Sequence, residues 1–176
     1  MLETARPTAT CLVPVNGRWV VIMLGGIPAT GVSIKRLGVS AMFISRLVGL
    51  RSFDAYVCRA GRVEANPTCD GSIDAGWTKI ITGPSDSFPG ANPRPGTQDE
   101  SLRYFDAAQQ LLATHVKFVA TNNQCTGQPS FHGDQDLDPG NNAECQTGIR
   151  RSEVHAAEVE VFSSKATLDG TLVSGI

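Results

Sequence analysis

Long apolar runs and clusters of like charge are both missing from this 176-residue sequence. Its longest strongly apolar run, WVVIMLGGI, is far shorter than the ~20 residues that a helix needs to cross a bilayer. Fifteen Lys and Arg residues stand against 17 Asp and Glu residues, so the net charge is only −2. We therefore predict no membrane span and no electrostatic footprint for nucleic acid.

The sequence also lacks the common patterns of catalytic and metal centres. Its histidines, His115, His132 and His155, are far apart, so no H-E-x-x-H zinc peptidase motif occurs. GGIPATG lacks the G-K-[ST] ending of a phosphate loop, and there is no G-x-S-x-G elbow. No C-x2-C pair is present to suggest a zinc site. We predict that the chain is not an enzyme.

Helical periodicity is equally scarce, and only YFDAAQQLLAT could form one or two helical turns. The 18 glycines and 10 prolines are scattered, as in a turn-rich β protein. Alternating apolar residues predict seven or eight strands and no βαβ unit, with a slip near Arg36 that indicates a bulge. The pattern predicts an all-β antiparallel β-sandwich over 16–164, between an N-terminal tail (1–15) and a C-terminal tail (165–176). The clearest strands are predicted at 17–24, 32–43, 50–58, 76–83, 102–107, 114–121 and 154–162.

The five cysteines provide evidence on the redox environment of the protein. Cys58 and Cys69 bracket one short polar segment, and Cys125 and Cys145 bracket another, which favours two local disulfides among the fifteen arrangements that five cysteines allow. Each bridge would contribute about 3 kcal/mol in the chain-entropy model. Disulfides indicate an oxidising compartment, so we predict a secreted protein. Because MLETARPTATCLVP does not have the pattern of a secretory signal, that signal would lie elsewhere; Cys11 is left over.

The segment CTGQPSFHGDQDLDPGNNAEC (125–145) is rich in oxygen ligands that suit calcium. The candidate calcium ligands are Asp134, Asp136, Asp138 and Asn142. An EF-hand loop does not fit, because Pro139 takes the place of its sixth-position glycine and Glu144 comes one position early. The alternative is a surface loop closed by a disulfide, in which DPG forms an ordinary turn. A looser calcium site and a tied surface loop both remain open, and the tied loop is favoured.

The order of segments resembles a known family. A strand ending SFDAYVC precedes GWTKIITG, then YFDAAQQLLATHVKFVATNNQC, an acidic insertion and a closing VHAAEVEVF. This order resembles the galactose-binding-like jelly roll of the discoidin or coagulation factor type C kind, over roughly 17–163. The matching strand pair is 113–119 and 155–162. More narrowly, the chain resembles accessory domains of secreted bacterial proteins, including those related to fungalysin-type metallopeptidases.

The resemblance implies a jelly-roll sandwich that binds ligands through the loops at one end. By that analogy, the candidate ligand-binding residues are Tyr56, Trp77, Phe88 and Arg94. Aromatic rings beside polar groups suit a sugar, because a pyranose has an apolar face and hydroxyl groups. We therefore expect a non-catalytic accessory module that contacts carbohydrate or another cell-surface ligand and targets an attached hydrolase. The alternative is a structural domain that packs against its parent protein, with these rings used in packing.

Overall fold

The protein is described by a computed structural model that covers residues 17–41, 49–84, 87–88, 102–123, 154, 156–166 and 172–174. In these residues every regular element is a β-strand. The strands are β1 (Arg18–Met23), β2 (Val32–Ala41), β3 (Leu50–Cys58), β4 (Thr78–Thr82), β5 (Arg103–Asp106), β6 (Leu112–Ala113), β7 (His115–Asn123), β8 (Ala156–Ala166) and β9 (Leu172–Ser174). No helix in the described ranges is long and apolar enough to cross a membrane.

The strands form two antiparallel sheets. Sheet A has the order β1-β7-β3-β4, and sheet B has the order β5-β2-β8-β9, with β6 also paired to β2. The predicted bulge is confirmed, since the β2–β8 register shifts between Ile34 and Arg36. The described part of the chain is thus an all-β antiparallel sandwich, as predicted, while its jelly-roll connectivity stays a prediction.

Two segments differ from the sequence-based expectation. YFDAAQQLLAT (104–114) forms no helix: it contains the end of β5, which agrees with the strand predicted at 102–107, then an irregular stretch and β6. Its backbone amides bond to other segments instead, since Ala107 N donates to Lys35 O (2.9 Å) and Ala108 N to Ile80 O (2.8 Å). The predicted C-terminal tail (165–176) contains strand β9, which pairs with the end of β8. The predicted N-terminal tail (1–15) lies outside the described residues.

One apolar core lies between the two sheets. The inward faces that alternation predicts for 50–58 (Phe53, Ala55 and Val57) and for 114–121 (Val116, Phe118 and Ala120) are buried. Ser52 and Lys117, which alternation places on the opposite faces, are buried as well. Fully buried Phe53 stacks on Phe118 of its own sheet, with 4.7 Å between ring centroids. It also meets Phe105 of sheet B edge-on at 4.8 Å. This ring therefore couples the two sheets directly.

We predict that Phe53→Ala lowers the free energy of unfolding by about 3–5 kcal/mol, because it removes a buried ring and leaves a cavity. Met23→Ala is the control, since Met23 is 73% exposed and should change stability by less than about 0.5 kcal/mol. Chemical denaturation would measure both. Equal effects of the two substitutions would contradict the assigned core.

Candidate functional site

The four predicted ligand-binding residues have different locations. Tyr56 lies on the outer face of sheet A, and Trp77 directly precedes β4. Phe88 is buried: its amide donates to Arg51 O (3.0 Å), and its ring packs 5.8 Å from that of Phe105. It therefore does not supply the exposed ring that a sugar platform needs.

Several other predicted features lie outside the described residues. They are Arg94, the candidate calcium ligands Asp134, Asp136, Asp138 and Asn142, and the cysteines Cys125 and Cys145. Within the described ranges, no group of three or more His, Cys, Asp or Glu side chains could hold a metal ion.

The outer face of sheet A carries a row of cross-strand neighbours. Lys117 of β7 pairs with Val21 of β1 on one side and with Tyr56 of β3 on the other, and Tyr56 pairs with Lys79 of β4. Residues paired across antiparallel strands project to the same face. The pairing thus places Val21, Lys117, Tyr56 and Lys79 in one row across the four strands of the sheet.

Lys117 is buried at the centre of an aromatic cluster, which we define as Trp19, Tyr56 and Trp77. The lysine residue is only 8% exposed. Its Nζ lies 5.4 Å from the Trp19 ring centroid, 5.7 Å from that of Trp77 and 6.0 Å from that of Tyr56. It also donates a 2.7 Å hydrogen bond to Gly71 O. Ring faces and a carbonyl thus offset the cost of removing this ammonium from water.

The irregular segment that follows β3, here named the 59–77 loop, packs over this face. The predicted disulfide between Cys58 and Cys69 ties the middle of this loop to the last residue of β3. Cys69 has a left-handed backbone (φ 57°), which is uncommon for a residue other than glycine. Fully buried Asn66 organises the centre of the loop through side-chain bonds to its backbone. The loop is therefore an ordered cover on sheet A.

Asp70 and Gly71 bring the loop onto the rings. The Trp77 indole Nε1 donates to Asp70 O at 3.0 Å. Gly71 lies against Trp19 so closely that a Cβ at this position would be 2.4–2.7 Å from ring carbons. One part of the Trp19 ring is therefore fixed by backbone, yet the residue remains 43% exposed.

Charged groups border the aromatic cluster. Lys79 Nζ lies 2.6 Å from Asp54 Oδ2 and 5.3 Å from the Tyr56 ring centroid. Hydrogen bonds, first to Asp54 and then to Tyr56, raise the pKa of Lys79 above its ordinary value. The exposed carboxylate of Asp70 accepts hydrogen bonds from the amide and hydroxyl of Ser72, which lower its pKa. Donors and acceptors are thus present beside the rings.

Trp19 was not among the predicted site residues, although the sequence carried a signal for it. In RWVVIM, Val20 and Ile22 turn towards the core, so the period of two places Trp19 and Met23 on the other face. Both are exposed in the structure, as is Ile73 of the 59–77 loop. Trp19 therefore presents an apolar surface to solvent on the outer side of sheet A.

No protein-family model, curated protein or solved structure matches this chain. The resemblance to the discoidin type therefore stays a prediction. The functional argument depends on the geometry of the described residues.

His115 makes the stability of the protein depend on pH, and it lies next to the start of the 59–77 loop. Its Nδ1 lies 2.9 Å from Thr114 Oγ1, which accepts a 2.9 Å hydrogen bond from Ala60 N. Burial lowers the pKa of His115 below the ordinary 6.5. The unfolded chain therefore binds a proton at His115 more readily than the folded chain does. The contribution of His115 to stability is complete above pH ~6.5, and it declines as the pH falls towards the folded-state pKa.

We predict that His115→Gln flattens the pH dependence of the unfolding free energy between pH 7 and 5, because it removes this proton-linked difference. Denaturant titrations of both proteins across that range would measure it. Identical slopes would show that the burial of His115 has no energetic consequence.

Proposed function

We propose that this protein is a non-catalytic carbohydrate-binding module of the extracellular kind, and that its ligand stacks on the outer face of sheet A. The observation that carries the proposal is the state of Trp19. Its ring is held in place by Gly71 and Lys117, while much of it still faces solvent. A pre-positioned, exposed indole is the surface on which the apolar face of a pyranose stacks.

The groups around Trp19 support this choice of ligand. Tyr56 and Trp77 are half-buried beside it, and the charged pair of Asp54 and Lys79 offers hydrogen-bonding groups to hydroxyls. The Lys79 side chain is 40% exposed, so a ligand on this face can reach its donors. Because Lys117 already occupies the centre of the aromatic cluster, a cationic ligand cannot take that position.

The disulfide between Cys58 and Cys69 supports an extracellular setting, since such bridges persist in oxidising compartments. By the resemblance, the module would belong to a secreted bacterial protein and would direct an attached hydrolase to its substrate. The acidic segment 125–145 keeps its two interpretations, a calcium site or a tied surface loop, and both enter the binding test.

A second function is favoured by different observations. Phe88 is buried, and the Trp77 indole N–H is used within its own loop. Aromatic residues that are buried or bonded within the domain favour a structural domain, which packs against its parent protein and binds no external ligand. The outward face of Trp19 is what favours the binding module over this alternative.

We predict binding to at least one polysaccharide in a glycan survey run in parallel in calcium and in EDTA. Trp19→Ala should weaken that binding by about 30-fold, the ~2 kcal/mol that an interface hot spot contributes. Isothermal titration calorimetry would measure both affinities. Binding that disappears in EDTA would make calcium part of the site, and binding unaffected by EDTA would leave the acidic segment as a tied loop.

Tyr104→Ala is the matched control. Tyr104 is also an exposed aromatic residue, 54% accessible, but it lies on sheet B beside Phe162. It should leave glycan affinity unchanged. Absence of binding in both conditions would favour the structural domain, and a loss with Tyr104→Ala alone would move the site to the other sheet.

A further inference from the structure

Asp70 and Gly71 make three contacts with the aromatic cluster and with Lys117 at its centre. Asp70 O accepts from Trp77 Nε1, and Gly71 O accepts from Lys117 Nζ. The third is the close approach of Gly71 to the Trp19 ring. The position of these two adjacent residues therefore determines how both tryptophans are held.

The side chain of Asn66 fixes the first of these two residues, Asp70. Its Oδ1 accepts from Asp70 N at 2.7 Å, and its Nδ2 donates to Asp70 O at 3.0 Å. Nδ2 also lies 3.2 Å from Ile73 O and 2.9 Å from Ala75 O. Asn66 is fully buried, so water cannot replace these bonds without opening the loop.

The disulfide supplies a separate restraint on the same stretch. Cys69 precedes Asp70 directly and is bonded to Cys58 at the end of β3. It limits how far the loop can move from the sheet, whereas Asn66 determines which way the Asp70 carbonyl points. Loss of Asn66 should thus release the orientation of residues 70–71 while the loop stays tethered.

We propose that Asn66 is the positioning residue of the aromatic cluster: it holds Asp70 and Gly71 against Trp19, Trp77 and Lys117. It acts on binding through those two residues and does not touch the ligand. The effect on binding rests on the proposed carbohydrate function. The effect on the tryptophans does not, because it can be measured without any ligand.

The chain has two tryptophans, Trp19 and Trp77, and both belong to the aromatic cluster. Intrinsic tryptophan fluorescence consequently reports on this site alone. In Asn66→Ala we expect emission shifted to longer wavelength, stronger acrylamide quenching, and glycan affinity lowered at least ~10-fold, equivalent to about 1.4 kcal/mol. These changes should appear under conditions where the variant is folded by circular dichroism.

Asn123→Ala is the matched control. Asn123 is also a fully buried asparagine, but it lies at the end of β7 opposite Leu50, several residues from Lys117. Its substitution should lower stability and leave emission and quenching as in the wild type. If Asn66→Ala shows the same behaviour as this control, Asn66 is only structural and the proposal is overturned.

Gly71→Ala keeps the inference testable if Asn66→Ala does not fold. Its added methyl group would displace the Trp19 ring directly while the Asn66 bonds remain. Altered fluorescence and weakened binding would support control by residues 70–71, and wild-type values for both would overturn it. If no glycan binds the wild type but Asn66→Ala still alters the fluorescence, the positioning role stands and the carbohydrate function fails.

Discussion

The packing of Phe53 between the two sheets is the contact on which the rest of the described structure depends. Its ring stacks on Phe118 within sheet A and meets Phe105 of sheet B edge-on. This arrangement is available only if the odd-numbered residues at the centre of β3 face inward, since side chains alternate along a strand. The same parity turns Asp54 and Tyr56 outward, so the core contact also determines which side chains lie on the outer face.

That outer face is covered in a way that simple alternation does not describe. Lys117 occupies a position that alternation assigns to solvent, yet it is buried under the 59–77 loop. An ammonium needs polar or π partners when it loses water, and here a loop carbonyl and three rings supply them. The lysine therefore joins sheet and loop, and its aliphatic stem adds apolar contact. The candidate binding face is a consequence of this second layer of packing.

Much of the fold follows from local patterns. The limits of β3 agree with the predicted strand at 50–58, and β7 has the predicted inward face. Both could be predicted because apolar side chains that repeat every two residues indicate a strand with one buried face. The bulge in β2 was visible as a break in that period near Arg36. The disulfide between Cys58 and Cys69 was also predicted, since a short segment between two cysteines loses little conformational entropy when its ends are joined.

The positions of single rings were predicted less well. Phe88 and Trp77 both follow turn-rich stretches, and nothing local distinguishes them, yet one ring enters the core and the other packs against a lysine. Strand periodicity and the pairing of Cys58 with Cys69 could be derived from residue order, because they depend on neighbours in the chain. Seven or eight strands were predicted, whereas the described residues contain nine. The Asn66 bonds span only four to nine positions, within an irregular loop that no periodicity describes. The burial of Lys117 and the exposure of Trp19 depend on contacts between residues tens of positions apart. Those contacts form only when the sheets pack and the loop closes over them, so they belong to the tertiary structure.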